Sequence, residues 1–228
     1  MPPTSLQKYK TISGYRFDSL SGDDLKILWS AVDKFKIDRI RFTPGSQIAV
    51  RGLADSQYAA FLSYLQPLLI PQPNNGISSI FNCNDCGECK NGCSKTGELV
   101  DRLGSLDLPQ PMPGRIKVAV SGCPRCCTMP RLRDIGFIPA SPTTQTWNVF
   151  FGGNGGRKPR IGDQIGTNLT LFESLDLVRR ALTVYQREAE DRMRTADYLR
   201  SVGLETFLKK IEKVVSIDSG QRILAWLC

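Results

Sequence analysis

Seven of the eight cysteines in this 228-residue chain fall between positions 83 and 127, and the chain contains no histidine. That leaves thiolate chemistry and excludes Cys2His2 zinc, His-ligated haem, Rieske centres and any histidine base. The first group, CNDCGECKNGC from Cys83 to Cys93, has the C-x2-C-x2-C-x3-C spacing of bacterial ferredoxins, but Ser94 stands where proline normally follows. The second group, SGCPRCC, brings Cys123, Cys126 and Cys127. From the residues alone, three readings stand. A ferredoxin-like cluster would use Cys83, Cys86 and Cys89. A zinc ribbon would pair 83/86 with 123/126. A shared cluster would join the C-x5-C of Cys83 and Cys89 to the C-x3-C of Cys123 and Cys127.

Eight cysteines, seven of them packed this way, suit metal ligation in a reducing compartment better than disulfides. The composition is 41% hydrophobic and 23% charged, which is ordinary for a globular chain long enough to bury a core unaided. No apolar run has signal-peptide or membrane-span character, so a soluble cytoplasmic protein is expected. The net charge of +8 calls for an anionic partner: nucleic acid, a polycarboxylate cofactor or an oxyanion.

The elements that must position the thiols follow from periodicity. Ser21 and Asp24 open a helix carrying Leu25, Leu28, Trp29, Val32 and Phe35 at helical spacing. Two short strands, IRF and QIAVRG, flank a Pro44-Gly45 turn, and a second helix runs from Tyr58 to Pro67. PQPNNG, residues 71 to 76, is a linker. GELVDRLGSL forms a short helix, and RIKVAVSG is a buried strand that ends on Cys123. DIGFI and WNVFFGG are further strands, followed by the Gly-rich loop GGNGGRKPRIGD. Residues 171 to 202 are helical with a break near Asp191, and a last helix covers 205 to 215.

Beyond the cysteines, the chain resembles the siroheme-dependent sulfite and nitrite reductases, in their single-module, low-molecular-weight assimilatory type. CNDCGECKNG matches the family's C-x5-C-K-x-G, and KVAVSGCPRCC its strand and cluster pattern. WNVFFGGNGGRKPRIGD is similar to the siroheme loop, and DRMRTADYLRSVGLETF to the C-terminal helix. The resemblance implies an α+β fold: a ferredoxin-like N-terminal half-domain (residues 1–72, ferredoxin-reductase-like) packed on a mixed-sheet siroheme and [4Fe-4S] module with C-terminal helices (77–228). It implies Cys83, Cys89, Cys123 and Cys127 as cluster ligands, with Cys127 also bridging to the siroheme iron. Cys86, Cys93, Cys126 and Cys228 are then read as small buried apolar residues.

The same resemblance implies that the carboxylates of siroheme are met by Arg157 and Arg160 and by backbone N–H groups of Gly152, Gly153 and Asn154. Arg115 and Lys117 fall where the family places a K-x-K pair facing the substrate. The family's T-x-R-Q turn appears as Thr43-Pro44-Gly45-Ser46-Gln47, and its R-N-V falls near Ser78-Ser79-Ile80, so both expected arginines are missing. Arg39, Arg41 or Arg51 would have to take that role: Arg51 towards substrate, and Arg41 with Thr43 and Gln47 towards cofactor. The implied reaction is six-electron reduction of sulfite to sulfide, with nitrite next. Electrons would come from an external donor such as ferredoxin, since no flavin or nicotinamide motif occurs. Neither nucleic acid nor membrane is an implied partner, and a homodimer is expected if a second copy completes the pocket. An electron-transfer protein without oxyanion turnover is the alternative.

Overall fold

The computed structural model describes residues 8–17, 19–43, 47–83, 89–141 and 143–214. The chain divides into two compact units, Met1–Gln72 and Pro73–Cys228, each with its own apolar cluster.

In the first unit, β1 (Lys10–Thr11) and β3 (Arg39–Phe42) pair antiparallel on either side of β4 (Ile48–Arg51), and β2 (Tyr15–Arg16) pairs with β5 (Ile70–Pro71). Helix α1 (Gly22–Lys34) begins with a capping box: Asp24 N–H donates to Ser21 Oγ and Ser21 N–H to Asp24 Oδ2. Its stripe is narrower than the periodicity predicts. Leu28, Ala31 and Phe35 are buried, whereas Leu25 and Trp29 on the flank are 52% and 71% exposed. Helix α2 (Tyr58–Leu65) closes the unit by burying Phe61 and Leu65, with Phe61 packed edge-on against Phe35.

The second unit is built on one five-stranded mixed sheet in the order β10-β9-β8-β7-β6. Strands β6 (Ile77–Asn82), β7 (Ile116–Val120) and β8 (Ile135–Pro139) run parallel, and β9 (Trp147–Phe151) and β10 (Asp163–Leu169) continue antiparallel. Helices α3 (Gly97–Gly104), α4 (Leu171–Glu188), α5 (Thr195–Val202) and α6 (Leu204–Glu212) share a core with one face of this sheet. Along β7 the alternation is plain: Ile116, Val118 and Val120 enter that core, and Lys117 and Ala119 take the other face. The α+β class with a mixed sheet is therefore as the sequence led us to expect.

Two strands of this second unit escaped the sequence reading, as did the two-residue strands β1, β2 and β5 of the first. In β6 the buried residues are Ile77 and Ile80, spaced by three rather than two. A register shift between Ile77 and Ser79 absorbs the extra residue. β10 is an edge strand with two such irregularities and a mostly polar sequence, so no alternation marks it. The supposed linker is also partly structural, because Asn75 Nδ2 donates to the carbonyls of Leu103 and Leu106 at the end of α3, at 2.9 and 2.8 Å.

Candidate redox site and its basic surround

The parallel register pairs Asn82 with Val120. Cys83 and Cys123 follow those residues, so the two cysteine groups emerge at the same end of adjacent strands, although 40 residues separate them in sequence. Cys83 N–H extends the ladder to Val120 O (3.2 Å), and Gly122 N–H donates to Cys83 Sγ (2.9 Å). The Gly122 carbonyl in turn accepts from the N–H groups of Cys93 and Ser94 and from Cys93 Sγ. One residue, Gly122, therefore pins the first cysteine loop to the second through its N–H and its carbonyl.

The turn after β7 is tight. Cys126 sits in the left-handed region at φ 56°, Met129 N–H returns to Cys126 O, and the hydroxyls of Ser121 and Thr128 meet at 2.7 Å. Cys123 is buried, Cys83, Cys93 and Cys126 are half-buried, and Cys89 and Cys127 are exposed. Burial chiefly pushes the Cys83 thiol pKa up; the Gly122 N–H works against this, and the neighbouring Cys123 and Cys127 add to it. Cys126 is pushed up likewise by burial, with Arg131 opposing and Cys123, Cys127 and Cys83 reinforcing. Cys83, Cys123, Cys126 and Cys127 thus share one electrostatic neighbourhood. Among the described residues no three Cys, Asp or Glu side chains converge tightly enough for a single metal ion. A four-iron cube spreads its ligands over its corners, so it does not need that convergence. Cys86 and Cys228 lie outside the described residues.

The Gly-rich loop folds mostly onto its own chain. Gly152 N–H donates to Asp134 O, Asn154 N–H to Arg160 O, and the Asn154 side chain closes the turn through Lys158 O and Gly156 N–H. Arg160 braces the loop through the Gly152 and Ile161 carbonyls and an ion pair with Asp163. Gly153 has no room for a side chain: a Cβ would lie 2.4 Å from Arg133 O and 2.5 Å from Arg131 O. Arg157 is exposed.

In the first unit, Arg41 pairs with Ala49 across β3 and β4. Thr43 N–H donates to Gln47 O, and Gln47 N–H to Thr43 Oγ1; Pro44 to Ser46 lie outside the described residues. Arg51 is ion-paired with Asp38.

Arg115 and Lys117, at the start of β7, have neighbours that the sequence reading missed. Asp134, fully buried, accepts from Lys117 N–H (2.9 Å), Arg194 Nη2 (2.6 Å) and Thr195 Oγ1 (2.6 Å). Arg133 lies over the Phe81 ring at 4.5 Å. The only sequence hint was the charged pair Arg133-Asp134 at the mouth of a buried strand.

An α+β module whose parallel strands deliver thiols to one end of the sheet, with basic side chains gathered at the start of β7, is the class of protein that fold and site define. The family of the nitrite and sulphite reductase 4Fe-4S domain matches residues 74–218. The chain belongs to that family, which is one of oxidoreductases. It is 23% identical to an assimilatory-type sulfite reductase of Nitratidesulfovibrio vulgaris, over 84% of this chain and 87% of that one. It is 40% identical to the large subunit of a nitrite reductase [NAD(P)H] of Klebsiella oxytoca, over 58% of this chain but 14% of that protein. The fold is shared with the NirA protein of Mycobacterium tuberculosis, with a TM-score of 0.69, 15% identity, and coverage of 87% of this chain and 39% of that one. It is also shared with dissimilatory sulfite reductase I, with a TM-score of 0.71, 10% identity, and coverage of 91% and 69%.

The donor set fits an iron–sulfur cluster: several thiols in one neighbourhood, with a backbone N–H already directed at one sulfur. The basic residues fit a polycarboxylate, since the buried Nε atoms of Arg133 and Arg194 have no hydrogen-bond partner among the described residues.

Proposed function

We propose that the chain is a siroheme- and [4Fe-4S]-containing reductase that reduces a small oxyanion, sulfite first and nitrite next. One observation carries this reading: the register that brings Cys83 and Cys123 to the same end of β6 and β7, at the head of the C-x5-C and C-x3-C pairs. Cys83, Cys89, Cys123 and Cys127 would hold the cluster, and Cys127 would also touch the siroheme iron. Arg41, Thr43, Gln47, Arg157, Arg160 and the Gly152-Gly153-Asn154 segment are the proposed cofactor contacts. Arg115, Lys117 and Arg51 are the proposed cations for substrate. The bound cofactors supply electron storage and delivery to the oxyanion.

The residues of the chain supply the rest. Thiolates fix the cluster, and Gly122 N–H lowers the electron density on Cys83 Sγ. Cations at the start of β7 neutralise anionic charge where water is partly excluded. Electrons would come from an external carrier such as ferredoxin, and a second copy of the chain would complete the pocket, which sedimentation equilibrium tests. The purified protein is expected to contain iron, acid-labile sulfide and a tetrapyrrole spectrum, and to oxidise reduced methyl viologen when given sulfite or nitrite. Cys127→Ser should separate the spectroscopic signatures of cluster and tetrapyrrole, whereas Cys86→Ser should leave both intact. Colourless protein containing zinc would overturn the proposal, and cofactors without turnover would make the chain an electron carrier.

A further inference from the structure

The sheet of the second unit ends in β10, and the outer side of that strand has no strand partner among the described residues. Open edges invite pairing with other chains and are usually covered. A groove of about 450 Å3 lies between β10 and α4. Ile165, Leu169 and Leu177 line it with apolar surface, and Glu173, Asp176 and Arg180 form its polar wall. That wall is already engaged. Glu173 closes the cap of α4 with Thr170, and Asp176 accepts from Arg179 Nη2 and Arg180 Nε at 3.1 and 2.8 Å. The groove therefore calls for apolar side chains rather than an ion.

Where the described chain stops indicates the occupant. Arg180 Nη1 also donates to the Ile211 carbonyl in the last turn of α6, at 3.4 Å, so α6 delivers the chain to one wall of the groove. Val214, the last described residue, packs partly buried on the same core. Residues 215–228 lie outside the described residues, and their sequence carries the apolar run ILAWL at 223–227 after the polar stretch SIDSGQR. Residues 215–222 reach up to roughly 26 Å when extended. The seven-residue β10 is roughly 23 Å long. The apolar run can therefore reach any point of the groove from Val214. We infer that residues 215–228 of this same chain dock along β10, seating the run 223–227 over Ile165, Leu169 and Leu177 and covering the open edge of the sheet. The inference involves neither cofactor nor substrate, so it stands or falls apart from the reductase reading.

The test uses the full chain as purified, oxidised briefly with hydroxyl radicals and mapped by peptide mass spectrometry. Its three tryptophans give an internal scale: Trp29 is 71% exposed, Trp147 is 2% exposed, and Trp226 lies in the docking run. Docking predicts that Trp226 reacts slowly, near the rate of Trp147, and that this rate does not change on dilution. Ile165→Lys, which sets a charge on the groove floor, should bring Trp226 to the rate of Trp29 and speed deuterium uptake across residues 163–169. Ile165→Val should leave both near wild type. Leu224→Lys should speed the same uptake without altering β7 or β8. Thermal melting checks that each variant is folded; should Ile165→Lys unfold, Leu224→Lys carries the test, because it leaves the described core untouched. Wild-type Trp226 reacting as fast as Trp29 overturns the inference. So does a protected Trp226 that ignores Ile165→Lys, since the segment then docks elsewhere. Protection lost on dilution would place the segment of a second copy in the groove and overturn docking within one chain.

Discussion

Tyr185 shows what burial does to a single residue. Its hydroxyl donates to Met193 O, and its pKa is pushed up to about 12, first by burial and then by the charge of Asp134, with Arg194 and a backbone contact to Gly114 opposing. The folded value lies above the unfolded value of 10, so the folded state holds the proton more tightly. The stabilisation is complete below pH 10 and is lost between pH 10 and about 12. Tyr198 is raised in the same direction by burial and by Glu188. Lys117 acts oppositely: its lowered pKa makes the fold gain stability as pH rises towards 10.5. Alkaline unfolding should therefore steepen above pH 10, and Tyr185→Phe should flatten that limb. Tyrosinate absorbance recorded against unfolding would check it, and a limb of unchanged slope would refute the assignment.

At the scale of elements, two contacts decide how the site is held. The Gly-rich loop can lie on the turn before β8 only because residue 153 lacks a side chain. Gly153→Ala must displace two carbonyls and is expected to cost about 1–3 kcal/mol, read as a fall in thermal midpoint. Asn75 stoppers the C-terminal end of α3, so Asn75→Ala should cost about 1–3 kcal/mol by leaving acceptors unpaired. Elements with clean local signals were legible: the Ser21 cap of α1, the alternation of β7, and the break between α4 and α5. β6 and β10 were not, because bulges destroy the period that reveals a strand.

Across the whole molecule, the two units hold separate cores. Phe61→Ala, in the first, is expected to cost about 3–5 kcal/mol there. Hydrogen exchange should register the loss within residues 8 to 72, while protection of β7 and β8 persists; equal loss in both would show that they unfold as one.

The sequence by itself determined the chemistry available, because ligand type and spacing are covalent facts: thiols without histidine, the C-x5-C and C-x3-C pairs, and a basic chain. It also determined most of the elements, since a local period needs no partner to be seen. Only the tertiary structure decided which groups meet. Cys83 joins Cys123 through a parallel register, and Asp134 gathers Lys117, Arg194 and Thr195 from up to 61 residues away. Such pairings depend on how strands and helices pack, and no local pattern in the chain encodes that distance.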